Sequence, residues 1–380
     1  MIALPLAAEE PFVERGFDHF YNLEYEQAIA DFRQAIAHHP DAADLHNHLA
    51  QALVFREMFR DGALESELVS GDNSFLRRPK LNPTPEIERE FLSQIAEAMA
   101  LSEASLKKQP NNTAALYALG ISYGLRANYY WVVKKSWRDS LRDATAARRL
   151  HNRITELEPA NIDARLVEGL HDYIVGSLPL MYRMLGFMAG IRGDKERGIR
   201  TIQEVAGRGT LNSTDAKIFL SALYRREHEP LLAVPLIQDL IHKFPRNFLL
   251  RLELSQMYSL AGDEQHALEA VEELAQCKTS HIAGLERVSW EKIYFQEGTI
   301  EFWYRELDRA LENLRKVAES PEELDLNMGA QTWLRIGQIY DLKQRRAEAL
   351  ASYKKCIAFA PEADAAHESR KYLAVPYRRL

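Results

Sequence analysis

Five residues near the start of the chain stand at the same mutual spacings as five near its end. Gly16, Ala28, Phe32, Ala35 and Pro40 are matched by Gly337, Ala349, Tyr353, Cys356 and Pro361. Repetition of this kind constrains the fold more than any other feature, because it implies stacked copies of one small unit rather than a single irregular core. The unit is clearest in "WLRIGQIYDLKQRRAEALASYKKCIAFAP", Trp333 to Pro361. Its first half, with Trp333, Ile336, Gly337 and Tyr340, reads as one helix, and its second half, with Ala349, Tyr353 and Cys356, as another. The polar stretch 343–345 is the turn between them. Small residues at 337 and 349 let two antiparallel helices approach, and the aromatics fill the space beside them. Pro361 lacks an N–H and closes the unit.

This pattern resembles the tetratricopeptide repeat (TPR). The resemblance implies an all-α fold: a right-handed superhelix, or α-α solenoid, of about eight helix pairs. Weaker units lie between the two clear ones. They are marked by Leu49, Ala98 and Pro110; by Gly120, Ala147 and Pro159; by Gly169 and Gly198; by Tyr224, Ala233 and Pro245; by Tyr258 and Ala267; and by Gly298 and Ala310. The solenoid is expected over 9–361, with its clearest units at 9–40 and 330–361. A capping helix and tail follow at 362–380, since a solenoid must cover its last apolar face. Three stretches are longer than the repeat requires: 59–85, 128–142 and 174–192. Long insertions often carry function.

Composition narrows the function classes. The 380 residues carry a formal net charge of -7, with 46% apolar and 27% charged residues. That is ordinary for a folded soluble chain and gives no global reason to expect nucleic acid as a partner. Two distant cysteines, Cys277 and Cys356, exclude a disulfide framework and a cysteine metal site. The start, "MIALPLAAEE", has no basic residue before Arg15 but ends its apolar run in small residues. Residues 1–8 therefore read either as the tail of a signal peptide, making the protein exported or periplasmic, or as a disordered end of a cytoplasmic one.

From Tyr173 to Ile191, nineteen residues carry one charge, Arg183. A membrane span needs about 20 apolar residues without breakers, and here Pro179, Gly186 and Gly190 interrupt. No transmembrane span is expected. Leu178, Leu180, Met181, Met184 and Phe187 instead form core for a helix pair, a lid over an apolar cavity, or a patch that docks a protein or a membrane surface. The segment "GLHDYIVGSLPLMYRMLGFMAGIRGDKERGI", Gly169 to Ile199, resembles the hallmark region of the tetratricopeptide-39 (inclusion-body-clearance) family. Ser177, Leu178, Pro179, Leu185, Gly186, Phe187, Gly193, Asp194 and Gly198 carry the likeness. It implies association with membranes, lipid or aggregated protein without catalysis, in a distant, bacterial relative of the family.

Motifs for catalysis and metals are weak. "GDKERGIR" places Ile199 and Arg200 where a phosphate loop needs Lys and Ser/Thr. His38, His39, His46 and His48 lack the i,i+3 or i,i+4 spacing that puts ligands on one helix face, and they read as exposed polar residues at a repeat junction. Glu86, Glu88 and Glu90 suit a helix start. The reading is non-enzymatic, with no catalytic residue, no metal and no cofactor. Lys134, Arg138 and Arg142 share a helix face near Tyr129, Tyr130 and Trp137. They form a basic stripe that could grip acidic peptide, phospholipid headgroups or RNA, but Asp139 and Asp143 would blunt it, and the stripe reads first as a solvated, salt-paired face.

The first helix of each TPR pair lines a concave groove. Transfer by position puts Phe17, Phe20, Asn47, Gln51, Tyr117 and Ile121 there, followed by Leu170, Arg225, Gln256, Phe295, Phe302 and Gln338. Val13 stands where chaperone-tail-binding members carry a clamp lysine, so that role is not expected. The groove implies a protein or peptide partner; the alternative is a carrier for an apolar small molecule or lipid. Oligomeric state is not legible.

Overall fold

In a computed structural model of the protein, residues 11–64, 81–178, 193–320, 324 and 326–378 are described. Their regular elements are helices, in eight pairs and a cap. The pairs are α1 (Pro11–Tyr21) with α2 (Tyr25–His38), α3 (Ala43–Arg60) with α4 (Pro85–Lys108), and α5 (Thr113–Val132) with α6 (Trp137–Leu157). Next come α7 (Arg165–Gly176) with α8 (Lys195–Arg208), α9 (Ser213–Arg226) with α10 (Pro230–Lys243), and α11 (Phe248–Leu260) with α12 (Glu264–Thr279). The last are α13 (Trp290–Trp303) with α14 (Leu307–Ala318), and α15 (Leu326–Leu342) with α16 (Arg346–Phe359); α17 (Asp364–Ala374) caps them. Helices α1–α8 and most of α9 form one compact unit, and the chain from Tyr224 onward forms a second.

The spacing seen in the sequence is a contact. A Cβ added at Gly16 would lie 2.6 Å from the Phe32 ring, and one at Gly337 2.5 Å from the Tyr353 ring. Each aromatic therefore occupies the space a side chain on the facing helix would need. Ala28 and Ala349 are fully buried beside them. The Tyr353 hydroxyl donates to Asp341 Oδ2 at 2.8 Å, and Asp341 in turn pairs with Arg346 at 2.9 Å.

Five pairs share one turn. In the first, fifth, sixth, seventh and eighth pairs three residues join the helices, and the middle one is left-handed: Leu23 (φ 63°), His228 (61°), Gly262 (86°), Arg305 (71°) and Gln344 (61°). The next N–H then reaches back five residues, as from Glu24 to His19 O at 2.9 Å, from Asp263 to Tyr258 O at 2.9 Å and from Arg345 to Tyr340 O at 2.8 Å. This helix-stop geometry uses backbone groups alone, which is why unrelated side chains fill the same position.

The other three pairs depart from that turn. Around 128–142, α5 and α6 run for 20 and 21 residues and are joined by 133–136. Against the 14 residues of α10, the added length is roughly 9 Å of helix at about 1.5 Å per residue. Between α3 and α4, residues 65–80 lie outside the described residues, as do 179–192 between α7 and α8. Leu180, Met181, Met184 and Phe187, the middle of the Gly169–Ile199 likeness with Pro179, Leu185 and Gly186, and residues 1–8 lie outside the described residues too. Among the described residues no helix is long and apolar enough to cross a membrane.

Candidate functional site

In the first unit, Phe17 is half-buried and packs against Phe32 at 5.2 Å and His48 at 4.7 Å. Phe20 is buried, 5.2 Å from Phe55 of the following pair. Asn47 is buried as well. Its amide donates to Ala118 O at 2.8 Å, and its oxygen accepts from Ser122 at 2.8 Å, tying α3 to α5. Gln51, Tyr117, Ile121 and Leu170 remain partly exposed.

Several of these helices meet at one polar cluster. The Tyr21 hydroxyl donates to Asp215 Oδ1 at 2.9 Å, joining α1 to α9. Asn212 donates to the Tyr117 hydroxyl at 2.6 Å. Asp163 accepts from the Leu211 N–H at 3.1 Å, from the Asn212 N–H at 2.8 Å and from the Thr210 hydroxyl at 2.9 Å. Burial pushes the Tyr21 and Tyr117 hydroxyls well above the usual phenol range, and nearby Asp215 adds to the shift at Tyr21. Sequence reading missed this cluster. Tyr21 and Asp215 are 194 residues apart, so no local spacing signals it.

In the second unit, Arg225 and Glu253 form a buried pair, with Nη1 at 3.0 and 3.2 Å from the two carboxylate oxygens. Burial raises the Glu253 carboxyl to about 7 despite the opposing pull of Arg225. Phe302 and Gln338 are buried. Phe302 lies under the Arg335 guanidinium at 5.0 Å, and Gln338 accepts from Arg335 at 2.8 Å. Phe295 is partly buried at the edge of the core of the last pairs. Ser255 stands where other first helices carry the close-packed glycine, and its hydroxyl donates to Ala267 O at 2.8 Å. One residue later, the side-chain oxygen of Gln256 is buried without a hydrogen-bond partner.

A cleft of about 360 Å³ between α12, α13 and α14 is lined by Leu268, Glu272, Glu297, Glu301, Arg309, Glu312 and Asn313. Burial raises the Glu297 carboxyl, with Glu301 adding to it. Arg309 at 3.1 Å and Asn313 at 3.0 Å hold Glu301. The i,i+4 spacing of Glu297 and Glu301 was its only signal in the sequence.

The histidines do not gather. His46 is buried rather than exposed, bonded to Gln94 at 2.6 Å and to Pro40 O at 2.9 Å, while the His48 ring packs on Phe17. Among the described residues no group of three or more His, Cys, Asp or Glu is placed to hold a metal ion. In the basic stripe, Lys134 pairs with Glu88, Arg142 pairs with Asp139 at 2.9 Å and Asp143 at 3.2 Å, and Arg138 stacks on Trp137 at 5.3 Å.

The tetratricopeptide-repeat family model matches residues 14–54. A stretch of 147 residues, 39% of this chain, is 23% identical to the "BBSome complex member BBS4 homolog" of Drosophila melanogaster; it covers only 28% of that protein. Similar solved structures include yeast Tom70 (11% identity, 96% of this chain and 87% of that one, TM-score 0.41). Others are a human IFIT1 dimer with m7Gppp-AAAA (15%, 98% and 86%, 0.47) and the APC/C heterotetramer Cut9–Hcn1 (14%, 95% and 75%, 0.39). With TM-scores below 0.5, the likenesses to these solved structures carry no functional argument. Residues 14–54 match the tetratricopeptide repeat, and the described helices continue after them in pairs.

Proposed function

We propose that this protein is a non-catalytic scaffold that holds a protein or peptide segment along the first helices of its pairs. One observation carries the reading: the buried, unpartnered side-chain oxygen of Gln256 on α11. An unpaired buried acceptor costs about 1–3 kcal/mol, which a donor supplied by a ligand removes. A peptide backbone presents such N–H donors at regular intervals. In the same unit the partly exposed Phe295 adds apolar surface, and in the first unit the partly exposed Gln51, Ile121 and Leu170 present the mixed polar and apolar character that an extended or helical segment needs. Membership of a multi-protein complex, as the name of the Drosophila relative records for that protein, suits such a scaffold.

The test is site-specific photo-crosslinking in cell extract, with benzoylphenylalanine placed at Gln51, at Gln256 or, as a second-helix control, at the exposed Leu231 of α10. Partner adducts are expected from the first two positions. Equal capture from Leu231, or none from Gln256, would sink the groove reading. Native mass spectrometry covers the carrier alternative: a retained lipid-sized mass, lost on collisional activation, would displace the scaffold.

A further inference from the structure

We infer that the cleft between α12, α13 and α14 is a docking site for an arginine side chain presented by a partner protein. Equivalent places in the other pairs show what is unusual here. Three residues after the small position of the first helix, five pairs carry a ring: His19, Tyr123, Tyr224, Tyr258 and Tyr340. The fourth and seventh pairs carry an acid there instead, Asp172 and Glu301, and both are buried. In each, the arginine just before the small residue of the second helix reaches that acid. Arg197 lies 2.6 Å from Asp172, and Arg309 lies 3.1 Å from Glu301.

The two places differ in one partner. Asp172 is also held by Arg148 at 3.3 Å, which follows the buried Ala147 on the second helix of the preceding pair. The residue that follows the equivalent buried Ala267 is Leu268, which lines the cleft, and Glu272 stands one turn on where the third pair has Asn152. The seventh pair thus keeps the buried carboxylate and its first arginine, lacks the second, and holds a cleft of about 360 Å³ beside them. The charge agrees. Among the described residues Glu272, Glu297, Glu301 and Glu312 line the cleft against Arg309, and Lys316 lies 3.1 Å from Glu312. Four carboxylates against two cations leave -2. Burial raises the Glu297 and Glu301 carboxyls and acidic neighbours add to both shifts, which a further cation would relieve. A guanidinium suits the gap because its planar fork can serve two carboxylates at once, while Leu268 suits its apolar stem. Free arginine would bring its own carboxylate into a site already in negative excess, whereas a side chain on a protein brings the guanidinium alone. Two of the three walls are second helices, so the site does not depend on the scaffold reading.

Fluorescence anisotropy of the full-length protein tests it, with a labelled, end-blocked peptide of alternating arginine and glycine and its lysine counterpart as probes. The arginine peptide should bind, and the lysine peptide at least about threefold more weakly. Glu297→Gln and Glu312→Gln should each weaken binding about fivefold. Glu362→Gln, an exposed acid away from the cleft, should change nothing. Leu268→Arg supplies in the chain the guanidinium that Arg148 supplies to Asp172. It should block the peptide by about tenfold or more and raise the melting temperature by about 2–4 °C. Circular dichroism should show every variant folded. No binding of the arginine peptide, equal binding of the lysine peptide, or an equal loss in Glu362→Gln would overturn the inference. So would unchanged binding or no gain in melting temperature in Leu268→Arg, or competition by free arginine at the concentration at which the peptide binds.

Discussion

The pairs with three-residue turns and the third pair, whose two helices are longer, are built on the same scheme but use their side chains differently. In the eighth pair nearly every large side chain is committed to the interior: Tyr353 against Gly337, Phe302 of the preceding pair under Arg335, and Cys356 donating to Ala330 O at 3.2 Å. In the third pair, Trp137 and Leu141 on the lengthened second helix are exposed. Repetition thus specifies packing, and surface available for other uses appears where the repeat is stretched.

The largest effect should come from breaking a regular pair. Tyr353→Ala removes the ring packed on Gly337 and the hydroxyl that holds Asp341. A loss of about 4 kcal/mol is expected in urea unfolding, read on the transition of the second unit. Trp137→Ala, equally aromatic but on the stretched pair, should cost less than about 0.5 kcal/mol. Similar losses at the two positions would erase the distinction.

The buried Arg225–Glu253 pair tests it next, through pH. The folded state raises the Glu253 carboxyl to about 7 from an ordinary 4.5 because burial disfavours its charge. The folded protein therefore binds this proton more tightly than the unfolded chain. Its contribution to stability is full below about 4.5, falls as pH rises toward about 7, and is level above that. Glu253→Gln should gain on the wild type across that window in chemical denaturation. A constant difference between the two proteins from pH 4 to 8 would show that Glu253 keeps its charge throughout.

Much of this fold was legible in the sequence because its central contact is local. Gly16 and Phe32, like Gly337 and Tyr353, lie sixteen residues apart on two helices joined by a fixed turn, so the spacing records the contact. The groove was less legible. Positional transfer names positions on the first helices but not how deeply each is covered. Phe20 and Phe302 each stand four residues after a close-packed glycine, and each is covered by the next pair, through Phe55 and Arg335. Asn47 and Gln338 are likewise used between helices, Gln338 donating to Glu368 of α17 at 3.3 Å. How far one pair covers its neighbour depends on stacking, which no single repeat encodes. The Tyr21–Asp215 contact is hidden for the same reason, since it needs the first and fifth pairs to meet. Tyr21→Phe should cost about 1 kcal/mol in the first unit's unfolding, well below Tyr353→Ala.

The smallest effects lie in the turns, where the regular pairs differ only in side chain. Gln344 holds a left-handed backbone at φ 61°, which costs an L-residue about 1–2 kcal/mol, whereas Gly262 holds φ 86° at the equivalent place without that strain. Gln344→Gly should therefore stabilise by about 0.5–1 kcal/mol, after the greater flexibility glycine gives the unfolded chain is subtracted, and Gly262→Ala should destabilise by a similar amount. Leu23 holds the same conformation at φ 63°, but its side chain is buried, so Leu23→Gly should lose more through packing than it recovers in backbone strain. Opposite signs at 344 and 23 on thermal melting would show that the backbone sets this turn while the neighbouring pair decides which residue it can hold.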